Sequence, residues 1–245
     1  MAFIRLYQDS DFEACAQICI ATLPPTLSAS PEAAKLSPYL WTHPYTFLSP
    51  STCYVLDDGT GTAVGYCIGC PDIHAFVASY PRYITSVLSH AVEAPDFSTR
   101  EPWTIPTTGD INISTNTNDT TTPAAPTAQK INPKALSQNA YRADWMLLSS
   151  STSITSRWRA TMHIDLLPAW QGRSWGRQLI ERFVASVQQS GQDYEEGEHI
   201  GVAGENRKVV AFYEKVGFRV VEDGEGGGGG GGESNIIMVR DIDRV

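Results

Sequence analysis

The 245-residue sequence lacks several things, and each absence removes a class of function. Basic residues are few: 18 Lys and Arg stand against 27 Asp and Glu, for a net charge of -9. Proteins that neutralise phosphates carry the opposite balance, so neither nucleic acid nor an anionic membrane surface is expected as main partner. No stretch reaches the ~18 consecutive apolar residues that a bilayer crossing needs. The opening segment, Met1-Ala-Phe-Ile-Arg5, has no basic region followed by an apolar one, so no secretory leader is expected. Cysteine is scarce and odd in number: Cys15, Cys19, Cys53, Cys67 and Cys70. Without a leader, that count points to reduced thiols and a cytoplasmic setting, with the nucleus left open. Cys67-Ile-Gly-Cys70 is a lone pair, and a tetrahedral zinc site needs about four ligands, so no metal is expected.

Charged residues are also sparse, at 18%. Much of the deficit lies between about 95 and 140. Ten of the 29 positions from Thr99 to Thr127 are Thr, and Asn and Pro fill much of the rest. Such a composition buries too little apolar surface to offset its ordering entropy, which predicts a disordered insertion. Strong strand and helix patterns resume after it, so the whole of 1–245 reads as one domain carrying that insertion. A second irregular segment, a poly-Gly loop at 224–233, contains seven consecutive glycines and reads as a surface connection.

The remaining chain alternates strands and helices. Phe3 to Tyr7 reads as a strand. Ser10-Asp-Phe-Glu13 has the form of a capping box opening a helix that Pro24-Pro25 ends. Pro31 to Leu40 reads as a helix, Thr52–Leu56 and Ala63–Gly69 as a hairpin, and Ile73–Val92 as a helix broken near Pro81. Trp145–Ser149 and Ala160–Leu167 read as strands. Gly172–Gln189 is amphipathic at helical spacing, with Gly191 as its C-cap. His199–Ala203 is a strand, Arg207–Val216 a helix, and Phe218–Glu222 with Asn235–Val239 a closing strand pair.

The chemistry concentrates after Ala160. His163 and Asp165 are two apart on a strand and share one face, while Met162, Ile164 and Leu166 take the other. Two polar groups pointing together suggest a lined cavity. The next segment, Gln171-Gly-Arg-Ser-Trp-Gly-Arg177, opens a helix. Free N–H groups and the positive end of the dipole gather there. Gly172 and Gly176 allow close approach to an anion, and Arg173 and Arg177 add positive charge, which is the recipe for a pyrophosphate cradle. Downstream, a strand leads to Asn206 and a short helix carrying Phe212-Tyr213, closed by Gly217-Phe218.

That order of strand, Gln-x-x-x-x-Gly turn, helix, strand, Asn and helix with Phe-Tyr-x-x-x-Gly-Phe resembles the GNAT acetyltransferase superfamily. More narrowly, His-Ile-Asp-Leu-Leu-Pro and Gly65-Tyr-Cys-Ile-Gly-Cys-Pro-Asp72 resemble the subgroup related to the C-terminal domain of O-GlcNAcase. The resemblance implies an α/β fold of GNAT acyl-CoA N-acyltransferase type, with a mixed twisted sheet splayed at its centre and flanked by helices. It implies acetyl-CoA as co-substrate, a primary amine of a small molecule as acceptor, with an amino sugar in the narrower subgroup, and allows a homodimer.

By the same resemblance, Leu166 and Leu167 would pair their backbone with the pantetheine arm, and Asn206 would hydrogen-bond it. Gln171, Gly172, Arg173, Ser174, Trp175, Gly176 and Arg177 would hold the pyrophosphate, with Arg207 and Lys208 near the ribose phosphate. Tyr213 would protonate the leaving thiolate; a phenol of pKa about 10 is protonated at pH 7. Asp165 is the favoured base, directly or through water, with His163 the alternative and His199 a third candidate. The two could equally be a hydrogen-bonded structural pair. Asp72 would face the acceptor or form a turn. Ser174 departs from the family, which has Gly there. A required positive φ would be costly for Ser. That departure sustains a second reading, an inactive pseudo-acetyltransferase used for binding or sensing. The acidic charge balance sustains a third, a protein lysine acetyltransferase whose acidic cleft suits Lys-rich peptides.

Overall fold

The computed structural model describes residues 1–107, 129–148, 152–221 and 235–244. Strand β1 (Phe3–Leu6) leads into helix α1 (Phe12–Thr22), then α2 (Pro25–Ser28), α3 (Pro31–Trp41) and α4 (His43–Leu48). The hairpin of β2 (Tyr54–Asp57) and β3 (Ala63–Cys70) follows. Helix α5 (Ile73–Tyr83) runs through a π turn at Ile84–Leu88 into α6 (Ser89–Ala91). Next come β4 (Thr104–Pro106), β5 (Gln129–Ile131), α7 (Pro133–Tyr141), α8 (Ala143–Leu147) and α9 (Thr152–Arg157). The last part contains β6 (Ala160–Leu166), α10 (Trp175–Gln189), β7 (Gly197–Val202), α11 (Val210–Lys215), β8 (Arg219–Val220) and β9 (Ile236–Asp241).

Seven strands form one sheet in the order β1-β2-β3-β6-β7-β9-β8. Every neighbouring pair is antiparallel except β6 and β7. One face carries α10, whose Leu179, Ile180, Phe183 and Val187 are fully buried against Cys67, Met162 and Ile200. Each such side chain contributes about 1.5–3 kcal/mol as an upper figure. The other face is covered by the N-terminal helices, α5 and α7, around Tyr45, Tyr66, Ile68 and Tyr83. Among the described residues no helix is long and apolar enough to cross a membrane.

Several local expectations change. The helix start is not capped at Ser10. Gln8 and Asp11 form the box, with the Gln8 amide donating to Asp11 Oδ2 at 2.9 Å. Asp11 wins because Arg5 also holds it, at 2.6 Å, while donating to Asp57 at 2.9 Å. One guanidinium thereby ties β1, the start of α1 and the β2–β3 turn. Pro81 does not break its helix, because the ladder resumes through the π turn and the Thr85 hydroxyl bonds the Pro81 carbonyl at 2.8 Å. Where a strand was expected at Trp145–Ser149, residues 145–147 instead belong to the helix α8, and Ser149 lies outside the described residues. Arg142 binds Asp144 in two places, and the guanidiniums of Arg100 and Arg142 lie over the Trp145 ring at 4.8 and 4.7 Å.

The ends of the segment 95–140, expected to be disordered, are ordered. The buried Gln138 side chain donates to the carbonyls of Asp96 (2.6 Å) and Thr99 (2.8 Å) and accepts from the Glu101 amide (2.9 Å). Asn132 donates to the Pro102 carbonyl, and its backbone N–H donates to the Trp103 carbonyl. Amide side chains here supply what apolar burial does not, which composition does not reveal. The expected disorder within 108–128 and the poly-Gly loop lie outside the described residues.

The packing of β3 on β6 leaves no room at Gly69. An added Cβ would sit 2.2 Å from the Thr161 carbonyl oxygen and 2.8 Å from the Phe183 ring. Gly69→Ala should therefore lower the free energy of unfolding by about 1–3 kcal/mol in urea titrations. Gly201→Ala, whose Cβ would meet only Ile237 at 4.0 Å, should change it by less than about 0.5 kcal/mol.

Candidate functional site

The sheet opens where its two parallel strands meet. Only two residue pairs join β6 to β7, Ala160 with Glu198 and Thr161 with His199. Beyond them the strands part. From Met162 onward β6 keeps its bonds to β3, and from Ile200 onward β7 keeps its bonds to β9. The facing edges thus carry backbone N–H and C=O groups without strand partners, and such groups seek one. A cavity of about 630 Å³ fills this opening, lined on one flank by Asn206 and Tyr213 and on its floor by His163 and Asp165.

His163 and Asp165 do share a face, as their spacing predicts, and Met162 belongs to the opposite core. They are not bonded to each other. Asp165 accepts from the Tyr66 hydroxyl at 2.6 Å, across the register pair that joins β3 to β6. Burial pushes the Asp165 carboxyl up to about 6, against the opposing hydrogen bond of Tyr66. Burial pushes the His163 imidazole down to about 4, so it is neutral at pH 7, with its ring against Tyr45 at 5.2 Å. Tyr66 escaped sequence reasoning because the β3–β6 register is a tertiary fact. The sequence marked it only as part of the strand Ala63–Gly69.

Tyr213 sits on α11 with its ring edge-on to Phe218 at 5.5 Å. Its hydroxyl has no hydrogen-bond partner among the described residues. Burial, reinforced by the Asp165 charge, raises its pKa, so it holds its proton at neutral pH. Asn206 lies in the helical turn Gly204–Val209 after β7, beside exposed Arg207 and Lys208. His199 is turned to structure, its Nδ1 bonded to the Trp158 carbonyl. Asp72 caps α5, accepting from the amides of His74 and Ala75. Cys67 and Cys70 belong to cores on opposite faces of the sheet and cannot share one ion.

The turn after β6 is held by backbone and side-chain hydrogen bonds. Leu167 is anchored by its amide to the Val64 carbonyl at 3.0 Å, and the Gln171 side chain donates back to the Leu166 carbonyl at 2.8 Å. Gly172 has φ +71°. Ser174 takes φ +61° at the N-cap of α10 and makes no side-chain cap. It therefore adopts the left-handed conformation that its departure from glycine put in question, at a cost of about 1–2 kcal/mol. Trp175, Gly176 and Arg177 begin the helix, where amides have no intrahelical acceptor. Gly176 serves packing rather than anion approach: a Cβ there would lie 3.1 Å from the Phe212 ring. Arg173 extends over Trp170 at 5.7 Å, and Arg177 is paired with Glu181 at 2.8 Å on the exposed surface.

No family model matches the chain, nor does any curated protein. Among solved structures it is similar to SsHAT, with 26% identity and a TM-score of 0.69 over 99% of this chain and 98% of that one. It is also similar to PH1933 from Pyrococcus horikoshii OT3, with 10% identity and a TM-score of 0.52 over 99% of each chain, a likeness of fold alone. The mixed sheet with flanking helices is the fold of GNAT acetyltransferases.

Two measurements follow from this geometry. Ser174→Gly should relieve the left-handed strain and raise stability by up to about 1 kcal/mol, less what glycine loses in chain entropy. Glu198, fully buried on β7 with neither carboxylate oxygen hydrogen-bonded, is pushed up to about 8 by burial against the opposing charge of Arg240. Both Asp165 and Glu198 are thus raised above their unfolded values. Their contribution to stability is full near pH 4 and is lost as pH rises, through about 6 for Asp165 and about 8 for Glu198. Asp165→Asn and Glu198→Gln should each gain stability relative to the parent as pH rises from 4 to 9, read as urea midpoints. A constant offset across that range would contradict the assignment.

Proposed function

We propose, on the premise of the GNAT acetyltransferase fold, that the chain transfers an acetyl group from acetyl-CoA to a primary amine of a small molecule. The observation that carries the reading is the parting of β6 from β7 beside the Gln171–Arg177 turn. An extended ligand arm laid in the gap meets free backbone groups on both edges, in the manner of an added strand. Its pyrophosphate end reaches amides at the start of α10, with Arg173 near and Gly172 and Ser174 shaping the turn. Asn206 borders the same gap. The left-handed turn at Ser174 supports an intact cradle and weighs against a chain that has lost its ligand.

The chemistry follows from the two flanks. The attacking amine must give up a proton, and Asp165 is the carboxylate on the cavity floor. A carboxyl near 6 is ionised at pH 7 yet basic enough to accept that proton, directly or through water. The amine nitrogen bonds to the acyl carbon, the C–S bond breaks, and the thiolate needs a proton. Tyr213 holds one, with no acceptor competing for it among the described residues. His163, neutral and beside Asp165, is the alternative base.

Calorimetric titration tests the reading first: acetyl-CoA and CoA should bind in the micromolar range, and no heat at millimolar ligand rejects it. Tyr213→Phe should lower turnover by roughly 10²-fold with acetyl-CoA binding retained. Asp165→Asn should flatten the rising limb of the pH–rate profile near 6. Tyr66→Phe removes a bond to the ionised carboxylate and should move that limb to higher pH without changing acetyl-CoA affinity. An unmoved limb in Tyr66→Phe would assign the base elsewhere.

A further inference from the structure

The acceptor side of the cavity is walled by two segments distant in sequence: α1–α2, and the ordered base of the insertion around β4 and β5. Resting on the acetyl-transfer reading above, we infer that this wall selects a primary amine carried on an apolar or aromatic body, in place of the amino sugar that the subgroup resemblance implies. The wall is apolar, with Leu27, Trp41, Trp103, Ile131 and Leu147 on it. The threonine hydroxyls on it are already engaged by the protein. Thr22 donates to the Ile18 carbonyl at 2.8 Å, Thr26 to Glu205 at 2.6 Å, and Thr104 to Gln129 at 2.7 Å. A sugar brings several hydroxyls, each of which would lose water without finding a partner here. An apolar body loses only water it is better without. The amine belongs beside Asp165 and neutral His163; Gln129, Glu205, Asn206 and Asn235 are other polar side chains that line the same cavity. At the rim, exposed Lys130 disfavours an acceptor with a second positive charge.

Trp103 is the residue on which this selection turns. Its backbone is tied into the fold: its carbonyl accepts from the Asn132 amide at 2.9 Å, and Asn132 in turn holds the Pro102 carbonyl. The insertion base is thereby hydrogen-bonded across to β5 and the start of α7. Its ring packs with the core of the N-terminal helices.

The test uses the full chain loaded with CoA and three probes: phenethylamine, glucosamine and a lysine-containing peptide. Binding is read by tryptophan fluorescence, and transfer from acetyl-CoA by thiol release. Phenethylamine should bind and should exceed both others in kcat/KM by at least about tenfold. Trp103→Ala should raise its KM about tenfold with the acetyl-CoA KM unchanged, and Trp103→Phe should restore most of the loss. Preference for glucosamine or for the peptide overturns the inference, as does discrimination that survives Trp103→Ala. Failure of all three amines to bind while acetyl-CoA binds overturns the inference alone; failure of acetyl-CoA itself overturns the acetyl-transfer reading beneath it.

Discussion

Two parallel strands that are clamped at one end and separate at the other set the rest of this molecule. The clamp lies just before the opening. Trp158 bridges Glu195, the Glu196 amide donates to the Arg157 carbonyl at 2.7 Å, and the Arg157 guanidinium holds the Glu196 carboxylate in two places. Each strand then follows its other neighbour, β3 or β9, and the sheet cannot close. Backbone groups that would be satisfied in an ordinary sheet are presented to the gap instead. Such groups are satisfied by water or by whatever enters the gap.

The gap also explains the electrostatics. A carboxylate on its floor is partly stripped of water, so its charged form is disfavoured. Tyr66 returns part of that loss through one short hydrogen bond from the adjacent strand. The balance places Asp165 near neutrality, where a proton can move either way. The same loss of water keeps His163 uncharged and Tyr213 protonated. One physical cause, burial around the opening, thus prepares three groups in different protonation states. The fold stores some instability to do so, in buried acids and in the left-handed Ser174.

Much of this was legible in the chain itself, for local reasons. The period-two alternation of His163 and Asp165 against Met162, Ile164 and Leu166 placed the polar pair on one face. The apolar spacing of Leu179, Ile180, Phe183 and Val187 fixed the buried side of α10. The Gly-containing basic turn before it marked a helix start of unusual geometry. Where local signals competed, reading failed. Ser10 and Gln8 both suit a cap, and the choice fell to Arg5, which reaches Asp11 from another element. The Trp-Met-Leu-Leu run suits strand or helix, and the stacking of Arg100 and Arg142 on Trp145 decided for helix. The edges of the insertion look disordered by composition, but Gln138 and Asn132 order them through amide hydrogen bonds that no hydropathy pattern contains.

By itself, then, the sequence determined the main strands and helices outside the insertion, the face on which the side chains of β6 and α10 fall and the chemical types available after Ala160, because these depend on repeat spacing and on neighbours a few residues away. The tertiary structure alone decided that Tyr66 meets Asp165 across 99 positions, that β6 and β7 part after two pairs, and that Trp103 of the insertion stands on the cavity wall shared with α1–α2. Register, strand divergence and the docking of an insertion are set by the packing of surfaces far apart in the chain, and a single sequence holds no local signal of which surfaces will meet.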